Sequence, residues 1–241
     1  MSELICLDEV NSTNSYLKAR ADELPSGTAV TARLQTAGRG RHGHDWLADE
    51  GMLPLSVLLK NPISPETLTL RVGVAVCEAI EAAYGGSLDA GIKWPNDVII
   101  DSYKVSGILC ESMRFGDDID IICGIGVNLT QPKSFFASRG IPHGASLADL
   151  TGTAPDRIAL AKGIARRICE LSQTDFTQVY ERYKRRCVTI GRQVRIIGAN
   201  GERTAFAEDI AQNGFLICES GVERFEVSSG EVSVRGLMDY V

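Results

Sequence analysis

The chain is poor in several things, and each shortage closes off a class of function. No stretch approaches the roughly 20 consecutive apolar residues that a helix needs to cross a bilayer. The start, Met-Ser-Glu-Leu-Ile-Cys-Leu-Asp-Glu, is acidic and has no apolar core of the kind a secretory signal carries. Cysteines 6, 77, 110, 123, 169, 187 and 218 form no CxxC pair and are odd in number, which suits reduced thiols in a cytoplasm better than a disulfide framework. Positive charge is in deficit, with 25 Lys+Arg against 31 Asp+Glu and a net charge of −6. General nucleic-acid binding needs a basic stripe to displace phosphate counterions, so the balance argues against it.

What remains is ordinary for a globular protein: 44% hydrophobic and 23% charged residues in 241. That length makes one large domain, or a domain and a small companion.

Against this plain background one run stands out, Gln35-Thr36-Ala37-Gly38-Arg39-Gly40-Arg41-His42-Gly43, with three glycines and two arginines in its last six residues and Trp46 close behind. Glycine lets backbone approach a ligand closely, and arginine offers a planar, permanently charged fork for carboxylate or phosphate. Such a loop can close over an anionic ligand, but a basic turn or an RG-type nucleic-acid segment has the same composition. The run lacks interleaved aromatics, which weakens the nucleic-acid reading. His42 and His44 lie two apart with no third metal donor nearby, so they read as solvated loop residues.

Ser12 or Thr13 can cap a helix with apolar positions Tyr16, Leu17, Ala21 and Leu24. Strands are expected over 28–34 and 53–59, the second containing Pro54, which belongs at an edge or bulge because it cannot donate to a ladder. Ser64-Pro65-Glu66 starts a helix whose buried stripe is Leu68, Val72, Ala75, Val76, Ala79, Ile80 and Ala83. Short strands around residues 92–94 and 98–100 flank a Pro-Asn-Asp turn, and longer ones follow at 105–113 and 119–129. Helices are expected at about 155–171 and 176–186. Past Gly191 short strands broken by glycines point to a small all-β barrel, with a boundary near residue 188. The pattern is α+β: a mixed sheet with flanking helices.

Four further segments complete a series of five: Ser12-Thr13-Asn14, the Gly/Arg loop, Lys93-Trp94-Pro95-Asn96-Asp97-Val98, Lys104-Val105-Ser106-Gly107-Ile108-Leu109-Cys110-Glu111, and Gly124-Ile125-Gly126-Val127-Asn128. In this order and spacing they resemble the signature of the biotin protein ligases, from about residue 8 to the C-terminus. The resemblance implies a sheet related to class II aminoacyl-tRNA synthetases over residues 1–187 and an SH3-like barrel over 188–241. It implies ATP-dependent activation of biotin as biotinyl-5′-AMP with Mg²⁺, then transfer to a lysine of a biotin carboxyl carrier protein, with no tightly bound cofactor. Members of one class carry an N-terminal winged helix. With the Ser-Thr-Asn motif at residue 12 there is no room for one, so neither DNA nor a membrane is expected as a partner. Monomer and homodimer both stay open.

Roles follow by the same resemblance, each beside a plainer alternative. Lys104, Arg39 and Arg41 supply the cations that bring carboxylate and α-phosphate together; a lysine after a turn is otherwise solvated. Ser12, Thr13, Asn14 and Gln35 match the donors and acceptor of biotin's ureido ring, although Ser12 and Thr13 also suit a plain N-cap. Gly38, Gly40, Gly107 and Leu109 line the biotin pocket, and Trp46 walls the biotin tail or adenine unless it is core. Asn96 and Asn128 face the nucleotide, while Asp97 meets Mg²⁺ and the incoming lysine; Pro-Asn-Asp is equally a simple Asx-turn. Apart from the resemblance, the strand pattern lets Cys110 and Cys123 face each other across paired strands, and a reducing cytosol argues against a bridge between them. The rivals are a lipoate or octanoate ligase, which lacks a need for the ureido partners, and a non-enzymatic biotin-binding regulator.

Overall fold

In the computed structural model, residues 3–43, 46, 49–198, 201–229 and 233–236 are described. His44 and the side chain of His42 lie outside the described set, so that pair has no structural outcome.

The first unit is a seven-stranded sheet with β1 (Glu3–Val10), β2 (Thr28–Gln35), β3 (Met52–Lys60), β4 (Gly91–Lys93), β5 (Asp97–Ile100), β6 (Tyr103–Phe115) and β7 (Asp118–Asn128). Their spatial order is β1-β2-β3-β7-β6-β5-β4. Only β1 and β2 run parallel. The helices are α1 (Thr13–Lys18), α2 (Leu68–Ala83), α3 (Lys133–Ala137), α4 (Leu147–Thr151), α5 (Arg157–Ser172) and α6 (Phe176–Arg186). The edge strand β1 and the short helices α3 and α4 were not anticipated from the sequence. β1 has little burial contrast to betray it, and α3 and α4 are too short to show a helical period.

The sheet's two faces are unlike, and this places the site. Leu53, Leu55, Val57, Ile121, Cys123 and Ile125 point to one face and join the stripes of α2 and α5 in the main core. Ala83, expected in that stripe, is exposed because α2 ends there at the surface. Arg71 of α2 is fully buried and donates to the carbonyls of Leu171 (2.9 Å), Ser172, Thr174 and Ser64, fastening α2 to the end of α5. On the other face a small cluster of Leu17, Ala21, Val30, Leu58, Met113 and Ile122 packs under α1 at one end only. The rest of that face carries glycines and polar residues.

Pro54 resolves simply. β3 is interior, but its ladder to β2 reaches only Leu55, so Pro54 stands just past the end of that pairing. Thr31 Oγ1 donates to the Pro54 carbonyl at 2.7 Å.

The C-terminal unit comprises β8 (Arg192–Gly198), β9 (Gly201–Ile210), β10 (Leu216–Ser220), β11 (Glu223–Val227) and β12 (Ser233–Gly236), ordered β11-β10-β9-β8-β12. Among the described residues the outer strands β11 and β12 do not pair, so the expected barrel is instead an open antiparallel sheet. It is joined to the first unit by Trp94, 1% exposed, whose indole donates to the Gly214 carbonyl at 3.1 Å. Tyr180 OH donates to the Ile210 carbonyl at 2.6 Å.

Candidate active site

The site is built on two successive rows of residues across β3, β7 and β6. In the first row Ser56 pairs with Gly124 and Gly124 with Leu109; in the second Pro54 pairs with Gly126 and Gly126 with Gly107. Side chains on neighbouring positions of a strand alternate faces, so these residues share the half-open face. Glycine at 124, 126 and 107 makes a shallow trough in which other groups can lie against the backbone.

The first row holds a polar network. Asn14 lies directly on Gly124, where a Cβ would come within 2.4 Å of its Oδ1. Ser56 Oγ, fully buried, is 2.5 Å from Asn14 Oδ1 and 2.7 Å from Thr13 Oγ1. Thr13 donates from its backbone N to Gln35 Oε1 at 2.9 Å, and its Oγ1 lies 3.2 Å from the same oxygen. Ser12 caps α1, accepting from Ser15 N at 3.4 Å, and the helix start brings all three residues of the Ser-Thr-Asn motif to the sheet. Capping and placement at the site thus coincide. Gly38 lies against Gln35: a Cβ there would stand 2.7 Å from Gln35 Nε2 and 2.8 Å from the Trp46 carbonyl.

The second row carries the aromatic and charged groups. The Trp46 indole spans Gly126 and Gly107, and its Nε1 meets the Met52 sulfur. Lys104 Nζ is 5.3 Å from the Trp46 ring centroid, within cation–π range. The same ammonium pairs with Asp97 Oδ1 at 2.6 Å, the two side chains being 23% and 13% exposed. Asp97 is opposite Gly107 in the β5–β6 register, which is why the pair forms beside the trough. Arg41 Nη1 donates to Asn96 Oδ1 at 3.0 Å, and its Nη2 donates to the Ser229 carbonyl. Burial disfavours the Arg41 charge while the Asp97 carboxylate supports it, leaving its pKa lowered. Asn96 is held in turn, donating from Nδ2 to the Ile108 carbonyl at 3.1 Å.

Asn128, expected to face the nucleotide, holds backbone in this structure. Its Nδ2 donates to the carbonyls of Lys104 (3.3 Å) and Ala145 (3.1 Å), stapling the start of β6 to the following segment. Lys104 N also donates to the His143 carbonyl at 2.7 Å, so the backbone bearing the ammonium is fixed on both sides.

The sequence-selected residues therefore fall into one polar group (Ser12, Thr13, Asn14, Gln35, Gly38) and one charged group (Arg41, Trp46, Asn96, Asp97, Lys104, Gly107, Asn128), with Leu109 between them. Arg39 stands apart: it is exposed and donates from Nη2 to Ser15 Oγ at 2.8 Å. Gly40 simply links the two arginines. Ser56, Gly124 and Gly126 had not been assigned roles; the period-two alternation that puts them on the face of Leu109 was the available signal. Cys110 and Cys123 do face each other in register, as free thiols.

For a metal, the described residues contain no group of three or more His, Cys, Asp or Glu side chains. Asp97 is a single carboxylate, which is the share a protein commonly gives to Mg²⁺ when substrate phosphates provide other ligands.

Comparison with known proteins gives a consistent picture. Residues 6–128 match the model of the biotin/lipoate A/B protein ligase family, and residues 189–235 match that of the biotin protein ligase C terminal domain. The chain is 33% identical to the biotin–[acetyl-CoA-carboxylase] ligase of Mycobacterium tuberculosis, over 95% of this chain and 88% of the relative. It is also 33% identical to a bifunctional ligase/repressor of Bacillus spizizenii, over 90% of this chain and 69% of the relative. Among solved structures, the biotin protein ligase from Aquifex aeolicus in complex with biotin and ATP superposes with a TM-score of 0.81 at 32% identity, covering 98% of this chain and all of the other.

Proposed function

The chain belongs to the biotin/lipoate A/B protein ligase family, and we infer from its site that it is an ATP-dependent biotin protein ligase. The observation that carries this reading is the juxtaposition of the Thr13–Gln35–Ser56–Asn14 network with the Lys104 ammonium across a trough floored by Gly124, Gly126 and Gly107. A ligand suited to that trough has a compact polar head with both donors and acceptors, an apolar body and an anionic end. Biotin has this form. Lipoate and octanoate have the anionic end but would leave the buried polar network unmatched, at a cost of about 1–3 kcal/mol per orphaned group.

In the first step the carboxylate attacks the α-phosphorus of ATP, forming the acyl–phosphate bond as pyrophosphate leaves. Lys104 lies where it can hold both anions and stabilise charge gathering on the phosphoryl oxygens. Asn128 and the His143 carbonyl fix its backbone. Asp97 balances the ammonium before substrates arrive, and with the phosphates it would hold Mg²⁺, which neutralises phosphate charge. Arg41, anchored between the Asn96 turn and the β11–β12 segment, closes the loop over the adenylate, with Arg39 added from the α1 side. Closure excludes water, to which a mixed anhydride is vulnerable. Trp46, seated on Gly126 and Gly107 beside Lys104, walls the ligand from the side, and Asn96 and Asn128 take the nucleotide side.

In the second step a neutral lysine amine attacks the acyl carbon and AMP departs. In this reading Asp97 orients that amine and accepts its proton. The acceptor in this reading is a biotin carboxyl carrier protein or domain of a biotin-dependent carboxylase. Neither DNA nor a membrane takes part; the net charge of −6 fits the first. The seven free thiols fit a cytoplasmic setting. We take residues 1–187 as the catalytic unit and 188–241 as the C-terminal one.

The test is pyrophosphate release from ATP and Mg²⁺ with biotin, lipoate or octanoate as the only acid. Release with biotin alone supports the reading; release with lipoate or octanoate alone replaces the substrate, and silence with all three removes the ligase assignment.

A further inference from the structure

Glu111 is the unclaimed ionisable group nearest the polar network. It stands on β6 one residue beyond Cys110, on the same face as Leu109 and Gly107, and it is opposite Ile122 in β7. Its Oε2 accepts from Asn14 Nδ2 at 2.7 Å, while the Leu109 carbonyl lies 3.5 Å from the same nitrogen. The other end of the Asn14 amide, Oδ1, is 2.5 Å from Ser56 Oγ. Asn14 is thus laid across three strands, β3, β7 and β6, and clamped at both ends with Gly124 beneath it.

We propose that Glu111 is a positioning residue for biotin recognition, acting through Asn14. The argument turns on which way round the Asn14 amide sits. An amide has one donor and one acceptor end of nearly equal size, and nothing in its shape selects between its two orientations. A carboxylate is acceptor-only, so Glu111 forces the NH₂ of Asn14 toward β6 and its oxygen toward Ser56. That oxygen then takes the Ser56 proton. Ser56 then has no proton left for Thr13 Oγ1, 2.7 Å away, so that contact takes the Thr13 proton. Gln35 Oε1, at 3.2 Å, can spare it because the Thr13 backbone N–H already holds that oxygen at 2.9 Å. One acceptor carboxylate thus sets the donor and acceptor pattern along the trough. Were Asn14 turned over, its NH₂ would face Ser56, whose proton would be freed to point to Thr13. The ureido head would then meet a different pattern. Because Glu111 lies behind Asn14, it does this without touching the substrate.

This inference rests on the biotin ligase reading, and the test separates the two. Biotin and ATP are titrated in the pyrophosphate assay with wild type, Glu111→Ala, Glu111→Met (similar length, no acceptor) and Glu111→Gln. The expected result is a KM for biotin raised on the order of tenfold in the Ala and Met variants. Their KM for ATP and their kcat at saturating biotin should stay within about twofold, since uniform binding of one substrate is what is lost. Glu111→Gln can still offer Asn14 an acceptor and should return most of the affinity. On an Asn14→Ala background, Glu111→Ala should add nothing further, the signature of a coupled pair. An active wild type whose Ala and Met variants keep the wild-type KM for biotin overturns the inference alone. So does additivity with Asn14→Ala. If kcat and both KM values fall or rise together, Glu111 has only a general structural role and the inference fails. A wild type that releases no pyrophosphate with biotin overturns both readings.

Discussion

Trp46 rests on Gly126 so closely that a Cβ built on the glycine would stand 2.4 Å from both Cε2 and Nε1 of the indole. The indole's far edge meets Gly107 in the same way, with Cζ3 2.6 Å from its hypothetical Cβ. An aromatic wall and a glycine floor are therefore one unit: the ring's height above the sheet is set by the absence of two methyl groups. Gly126→Ala should leave the fold in place but lift Trp46 by several tenths of an ångström or more, misaligning the ligand. Adenylate formation should drop at least tenfold, read as pyrophosphate release, with far-ultraviolet circular dichroism unchanged. Wild-type turnover in this variant would show that the trough is not used.

Lys104 should be the costliest single loss. Lys104→Ala removes the cation beside Asp97 and Trp46 while the backbone bonds from Asn128 and to His143 remain. Removing a group that stabilises developing phosphate charge costs about 10²–10³ in rate. Pyrophosphate release should fall by that factor or more while the thermal midpoint changes little. Turnover near wild type would reassign the charge-stabilising role.

Arg41 joins the Gly/Arg loop to Asn96 and, through the Ser229 carbonyl, to the segment between β11 and β12. Arg41→Ala should cut these ties and let activated biotin escape. Escaped adenylate acylates exposed lysines without regard to the carrier, so a bystander such as serum albumin should become biotin-labelled in proportion to time. Labelling confined to the carrier, as selective as wild type, would count against loop closure by this arginine.

Thiol chemistry gives a prediction that is independent of the reaction. Cys6 is exposed, whereas Cys77, Cys187 and Cys218 are buried. Burial raises all three thiol pKa values, that of Cys218 to about 11. At pH 8 iodoacetamide should label Cys6 well before these three, which should react only after denaturation; mass spectrometry of peptides reads this directly. The same shifts bear on stability. The folded state holds these protons more tightly than the unfolded chain, so stability is fully present below about pH 9 and declines as pH rises. Cys218 contributes to that decline up to about pH 11, at no more than about 1.4 kcal/mol per pH unit for one proton. The urea midpoint should fall between pH 9 and pH 11, and less steeply in Cys218→Ala.

The strands and long helices were readable because their apolar residues recur with the right period. Leu53, Leu55, Val57 and Leu59 mark the core face of a strand whose other face is covered as well, and the stripe from Leu68 to Ile80 marks the packed side of α2. The N-terminal strand was not readable, since an edge strand that is part exposed on both faces has no such contrast. The C-terminal glycines announced short strands correctly but not whether the outer two would meet, because closure depends on the curvature of the whole sheet.

By itself the sequence determined which chemical groups were available and in what order: the Gly/Arg loop, the capping Ser-Thr-Asn, the Pro-Asn-Asp turn, the lysine before a Gly-Ile-Leu strand. Their local consequences, a helix cap and two turns, followed from backbone preferences confined to a few residues. Tertiary structure alone decided the pairings. Register across β3, β7 and β6 laid Asn14 on Gly124 between Ser56 and Glu111, and laid Trp46 on Gly126 and Gly107. It turned Arg39 toward Ser15 and Arg41 toward Asn96 and Ser229. The reason is geometric: a strand's own pattern tells which face a residue takes, but its neighbours on that face come from strands tens of residues away, and a slip of one position would send every one of these side chains to the opposite side.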